Sequence, residues 1–205
     1  MAKSVVVLDY GSGNLRSAER AVARTGVDVT VTSDLAAAAE ADGLVVPGVG
    51  AYAACMAGIE ALNAGPVIAE RVAAGKPVLG ICVGMQILFE SGVEHGVETK
   101  GLGLLPGSVT KLSAQRIPHM GWNTVDVAAG SRLLGNLPAG ARFYFVHSYA
   151  AQDLDLLDHA RVTTASHDRP FVAVVEAGAL SAAQFHPEKS ADSGYLLLSN
   201  WVATL

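Results

Sequence analysis

Pro77-Val78-Leu79-Gly80-Ile81-Cys82-Val83-Gly84-Met85-Gln86 decides how this chain folds and where its chemistry sits. Pro77 to Ile81 is a short apolar run, read as a buried strand, and Met85 to Glu90 is compatible with a helix. Between them Gly80 and Gly84 flank Cys82, and small neighbours allow the sharp strand-to-helix turn of a nucleophile elbow. Such a turn lifts the thiol into the open at a helix N-terminus, whose partial positive charge favours thiolate. The plain alternative is a core cysteine at a strand end, since free cysteine is often buried.

Working outward toward the N-terminus, Ser4 to Asp9 is a β-branched run that enters the turn Tyr10-Gly11-Ser12-Gly13. Asn14 can cap a helix running to Thr25, and Gly26 supplies a left-handed stop. Val27 to Val31 and Leu44 to Val46 read as further strands, the second ended by Pro47-Gly48, with the helix-compatible alanines 36–39 between them. Pro66 suits a first helical position and Gly75 the position past a last turn. Short apolar strands alternating with helices imply a parallel sheet covered on both faces. Toward the C-terminus Arg142 to Val146, Arg161 to Ser166, Phe171 to Glu176 and Leu180 to Phe185 are strand-like and should add antiparallel hairpins to that sheet. Ser190 to Leu205 reads as an amphipathic closing helix. The expectation is one α/β domain over residues 1–205, with a mostly parallel sheet and helices on both sides.

Composition narrows the function. Hydrophobic residues make up 51% and charged residues 16%, enough apolar surface for a continuous core. A net charge of -5 with scattered Lys and Arg excludes a phosphate-backbone binder, which needs a basic patch. Cys55 and Cys82 could form at most one bridge, and reduced thiols are expected. The apolar run Val5 to Leu8 is too short for a signal-peptide core or a membrane span, so a cytoplasmic location with no membrane attachment is expected. Gly11-Ser12-Gly13 begins like a dinucleotide fingerprint, but Arg16 stands where the third glycine belongs. No His, Cys or Asp cluster has metal-ligand spacing, so neither a metal nor a cofactor is expected.

His186-Pro187-Glu188 supplies what the thiol needs. In an extended segment residues two apart share a face, so the imidazole and carboxylate would lie side by side with Pro187 stiffening the backbone between them. Glu188 can then orient His186, leaving its other ring nitrogen to take the thiol proton. The alternative is a solvated turn at a strand end. His95, His159 and His167 lie in polar stretches or turns, and His119 and His147 lack a carboxylate two residues on. Acyl transfer also needs oxyanion donors. Val83 supplies one backbone N–H, and Pro47-Gly48-Val49-Gly50, leaving a neighbouring strand, supplies the second, with Gly50 as its donor.

Gly80-Ile81-Cys82-Val83-Gly84-Met85-Gln86 together with Gln184-Phe185-His186-Pro187-Glu188-Lys189-Ser190 resembles the class I, triad-type glutamine amidotransferases. Asp9 to Leu15, Pro47 to Gly50, Pro118 to Asn123 and Phe145 to Tyr149 narrow the resemblance to the family of glutaminase subunits of imidazole glycerol phosphate synthases in histidine biosynthesis. That resemblance implies a flavodoxin-like architecture and hydrolysis of L-glutamine through a thioester. It also implies a heterodimer with a cyclase subunit that uses the released ammonia. It further implies that Gln86 and Glu94 hold the glutamine head group, with Gly50, Ser148 and Tyr149 contributing. Asn14, Trp122, Asn123, Tyr144 and Lys189 are implied to lie toward the cyclase. Ser148 stands where many relatives have Thr and keeps the hydroxyl.

Three other readings compete. A glutaminase subunit of another pathway, such as vitamin B6 or purine synthesis, is opposed by Pro47 to Gly50 and Pro118 to Asn123. A peptide-cleaving cysteine hydrolase with the same elbow would not need glutamine. An interaction subunit that has lost catalysis is opposed by the intact Cys82, His186 and Glu188.

Overall fold

The computed structural model describes residues 2–205. In chain order the elements are β1 (Ser4–Leu8), α1 (Leu15–Ala23), β2 (Asp28–Thr32), α2 (Leu35–Glu40), β3 (Gly43–Gly48), α3 (Tyr52–Leu62), α4 (Ala64–Ala73) and β4 (Val78–Cys82). There follow α5 (Val83–Gln86), β5 (Phe89–Glu94), β6 (Val97–Lys100), β7 (Leu105–Lys111), β8 (His119–Asn123), β9 (Phe143–His147) and β10 (Tyr149–Ala151). The chain closes with β11 (Arg161–His167), β12 (Arg169–Ala177), β13 (Leu180–Ala183) and α6 (Ala191–Val202).

The main sheet has seven strands in the order β11-β12-β13-β4-β3-β1-β2. Its five strands from β13 to β2 run parallel, and β11 and β12 are antiparallel additions. Every residue of β3 and β4 is buried, the signature of a central parallel strand covered twice. The helices divide into two groups, α1 with α6 and α2 with α4, and β1 touches both α1 and α2. The local signals act as their chemistry requires. Asp34 accepts the N–H groups of Ala36 and Ala37 to start α2, and Gly26 and Gly75 take positive φ just past α1 and α4. The buried Arg71 of α4 donates to the carbonyls of Ala38, Ala39, Ala41, Asp42 and Pro77, tying the end of α2 to the start of β4.

The structure corrects several sequence-based expectations. The helix expected over Met85 to Glu90 is only the four-residue α5, and Phe89 to Glu94 is instead a strand. It pairs with β6 and β7 in a second, four-stranded sheet ordered β10-β7-β5-β6, so tertiary pairing overrides local helix preference there. His95 and Gly96, both at positive φ, make the tight turn of the β5–β6 hairpin. Arg142 to Val146 does not extend the main sheet: β9 pairs with β8 in a separate ribbon. The main-sheet edge is already occupied by β11, and Phe143 and Phe145 of β9 instead pack on Phe185, with ring centroids 4.0 and 5.3 Å away. Pro66 lies at the third residue of α4 rather than the first, still within the turn whose N–H groups have no helical partner. Asn14 occupies the N-cap position of α1 but makes no side-chain cap bond.

Candidate active site

Cys82 is the last residue of β4, and its backbone sits at φ 56° and ψ -116°. A non-glycine residue there is strained by about 1–3 kcal/mol and persists only where its surroundings impose it. The surroundings here are backbone: a Cβ on Gly84 would run into the Val46 carbonyl, and one on Gly48 into the Gly84 amide. Because α5 is a single turn, little helix dipole reaches the thiol, contrary to the sequence-based expectation. The positive neighbour of the thiol is His186.

His186 follows β13, the strand beside β4, and this adjacency brings the base to the nucleophile. Its Nδ1 donates to Glu188 Oε1 at 2.7 Å, and both side chains are at least 96% buried, which makes the pair geometrically specific. The segment is not extended, however. Pro187–Lys189 form a 3-10 turn, and it is this turn that folds Glu188 back under the imidazole. Burial alone would lower the His186 pKa, but hydrogen bonding and charge from Cys82 and Glu188 overcome it and raise it to about 9. The imidazole therefore carries a proton at neutral pH, ready to be given to a leaving group.

A cavity of about 320 Å³ opens over the thiol at the carboxyl ends of the parallel strands, where open α/β sheets bind ligands. Gly50, Val83, Gln86, Glu94, Ser148 and Tyr149 all line it beside Cys82 and His186. Each acyl-transfer and substrate residue expected from the sequence is thus in one place. Glu94 ends β5, and its Oε2 accepts the Tyr52 N–H at 3.0 Å at the start of α3. Gln86 Nε2 donates to the Tyr149 carbonyl at 2.9 Å and to Gln184 Oε1 at 3.0 Å. With both amide hydrogens used, Gln86 has its Oε1 left to offer, so Gln86 and Glu94 together suit a cationic amine. A smaller hollow of about 180 Å³ lies at the opposite ends of β4 and β13 and is lined by neither a cysteine nor a histidine.

The residues expected toward a partner are more scattered. Lys189 is exposed at the cavity rim, and Asn14 is exposed at a small recess that also touches His186 and Glu188. Trp122 is 49% exposed and packs edge-on against Tyr144, ring centroids 6.0 Å apart. Asn123 turns inward: its amide donates to His119 and to the Ser166 carbonyl, and its Oδ1 accepts the Thr124 N–H.

Sequence reasoning missed Gln184, whose Nε2 approaches the Cys82 sulfur at 3.9 Å. Its position two residues before His186 was the available signal, since alternate residues near a strand share a face. It also set aside His147, which lines the cavity, and had no means of seeing that His147 is paired with His119 across two strands.

A strained strand-to-helix turn bearing a thiol, backed by a buried His-Glu pair at the carboxyl edge of a parallel sheet, defines an elbow-type α/β enzyme. The chain belongs to the class I glutamine amidotransferases, whose family model matches residues 6–203. It is 65% identical over 201 residues to the imidazole glycerol phosphate synthase subunit HisH of Mycobacterium bovis, covering 98% of each chain. To the subunit of the same name from Streptomyces avermitilis it is 59% identical, over 100% of this chain and 98% of the other. Among solved structures, PurLQS from Thermotoga maritima superposes with a TM-score of 0.74 at 19% identity, covering 99% of each chain.

Proposed function

We infer that this chain is the glutaminase subunit of an imidazole glycerol phosphate synthase, acting in histidine biosynthesis with a cyclase subunit as its partner. The observation that carries the reading is the Cys82-His186-Glu188 constellation in a chain 65% identical to a curated subunit of that enzyme. L-Glutamine would enter the cavity with its α-ammonium against Glu94 and Gln86 Oε1 and its side-chain amide over Cys82. The Cys82 sulfur attacks the amide carbon, and the carbonyl oxygen takes the negative charge, facing the backbone N–H groups of Gly50 and Val83. As the tetrahedral centre collapses the C–N bond breaks, His186 gives its proton to the nitrogen and ammonia leaves. Water, deprotonated by His186, then cleaves the thioester to glutamate and restores the thiol. Ammonia passes to the cyclase, whose products are imidazole glycerol phosphate and an aminoimidazole carboxamide ribotide.

No cofactor is required by this chemistry. Among the described residues no helix is long and apolar enough to cross a membrane, and both cysteines are free. Unbridged thiols suit the reducing cytoplasm, where we place the reaction. The deciding experiment reconstitutes the heterodimer with Cys82→Ala: glutamine-dependent synthesis is lost while synthesis from ammonium salts continues. Cys55→Ser is the control and retains both. Retention of glutamine-dependent synthesis by Cys82→Ala would overturn the reading.

A further inference from the structure

Beyond the triad lies a buried cluster of imidazoles with a single consistent arrangement of protons. His147 Nδ1 lies 3.0 Å from the Tyr149 carbonyl, which can only accept, so this nitrogen carries the hydrogen. In neutral His147 the other nitrogen, Nε2, must then accept. Its partner is His119 Nδ1 at 2.9 Å, which therefore donates. That leaves His119 Nε2 as an acceptor, and it faces the Asn123 amide at 3.2 Å, a donor. Asn123 is fixed in turn, because the same amide donates to the Ser166 carbonyl at 3.0 Å and its oxygen accepts the Thr124 N–H at 2.9 Å. Every hydrogen therefore points the same way, from Asn123 on β8 through His119 and His147 to Tyr149.

The pattern requires both imidazoles to be neutral, and their surroundings ensure it. His119 is boxed by Phe145, Phe171 and His167, with ring centroids 4.7, 5.5 and 4.5 Å away. Burial, reinforced by the charge of His167, lowers its pKa to about 4. Burial likewise lowers His147 to about 3 despite its bond to Tyr149. A metal ion does not fit between nitrogens already in hydrogen-bond contact.

The relay ends where the substrate cavity begins. The Tyr149 carbonyl has two lone pairs, one taken by His147 and the other by Gln86 Nε2 at 2.9 Å. Fixing this carbonyl fixes the amide of Gln86, and with it the acceptor oxygen that Gln86 has left to offer. We propose that Asn123, His119 and His147 are positioning residues: a one-directional hydrogen-bond relay through which the β8–β9 ribbon sets the orientation of Gln86 and so the affinity for glutamine. The inference rests on reading the cavity as the glutamine site.

The test uses the intact heterodimer. Nitrogen-15 NMR of its histidine side chains reports tautomers independently of turnover, and both His119 and His147 carry hydrogen on Nδ1; hydrogen on Nε2 of either overturns the relay. His119→Phe keeps an aromatic ring in the aromatic box but leaves His147 Nε2 unpaired. It raises the KM for glutamine about 5- to 30-fold, with kcat within about twofold, the signature of lost ground-state positioning. His119→Asn, which retains a donor near Nδ1, restores most of the affinity. An unchanged KM in His119→Phe, or KM, kcat and melting temperature all worsening together as in a merely structural defect, overturns the proposal. If the wild-type complex hydrolyses no glutamine, the reading of the cavity fails, and the tautomer measurement alone decides the relay.

Discussion

Ser12 Oγ engages both backbone polar groups of Val49, accepting its N–H at 3.2 Å and donating to its carbonyl at 2.9 Å. Cys55 Sγ reaches the same carbonyl at 3.5 Å. In a trans peptide the following N–H points the opposite way, so Gly50 N–H is turned from Ser12 while Val49 N–H is held toward it. The positive φ of this loop, 88°, falls on Gly50 rather than on Val49. The loop is thus restrained by a side chain from a different strand-to-helix turn.

We expect this restraint to oppose the peptide rotation that aims the Gly50 N–H at the oxyanion, so that the isolated chain is a poor glutaminase that its partner activates, most fully when the partner holds its own nucleotide ligand. Ser12→Ala removes hydrogen bonds each worth about 0.5–1.5 kcal/mol and should raise basal hydrolysis about tenfold. Val49→Gly, which frees the backbone by another route, should raise it too. Glutamine hydrolysis measured without partner, with partner, and with partner plus ligand checks the first point; equal rates in all three would sink it. Basal rates unchanged in both variants would leave activation intact and remove this explanation of it.

The ionisation of His186 gives a pH prediction. Its folded pKa, about 9, exceeds the usual histidine value, so the imidazolium is present below that pH and lost as pH rises through it. The rate kcat/KM should fall on the alkaline side with a midpoint near 9. Glu188→Gln removes a negative partner and should shift that limb to lower pH, with partial activity remaining, whereas His186→Ala should lose about 10²–10⁴-fold. Rate profiles of the heterodimer from pH 6 to pH 10 distinguish the two; an alkaline limb unmoved by Glu188→Gln would contradict the assignment.

Glu94 offers a test of substrate orientation. Its Oε2 is engaged by the Tyr52 N–H, which Gln can also satisfy, so Glu94→Gln should fold normally. Losing the charge opposite an ammonium costs about 1.5–3 kcal/mol, so the KM for glutamine should rise about 10- to 150-fold with a smaller change in kcat. Steady-state kinetics of the heterodimer read this directly.

Arg71 gives a stability prediction remote from the cavity. Arg71→Met strips the donor from five carbonyls. Leaving buried acceptors unpaired costs about 1–3 kcal/mol per group, non-additively. The urea midpoint should fall by at least that single-group equivalent while the glutamine KM in the heterodimer stays at the wild-type value.

The parts of this site that sequence made legible are those set by local backbone. Gly80 and Gly84 announced the elbow because only small residues fit where Val46 and Met85 crowd the turn. The apolar runs of β3 and β4 announced central strands. Phe89 to Glu94 was misread because its strand character comes from pairing with residues 97–109, not from its own composition. The relay through His119 and His147 was hidden for a similar reason: the two rings meet only because β8 and β9 pair in a register that sets those residues opposite each other. The His186-Glu188 contact was anticipated with the wrong backbone, since either an extended segment or a tight turn can bring residues two apart together.

The order of strands has a consequence for biosynthesis of the protein itself. The thiol ends β4, but its catalytic neighbours arrive just after β13, and Gln184 reaches Cys82 across 102 positions of sequence. A ribosome therefore finishes β1 to β4 long before it makes the segment that supplies the base. Until then the edge of β4 that will receive β13 is open, and the nucleophile has no imidazole beside it. Non-local parallel pairing is slow to form. The nascent chain consequently spends its vulnerable interval with a cysteine that cannot yet consume glutamine, and the competence to release ammonia comes only when one of the last strands docks.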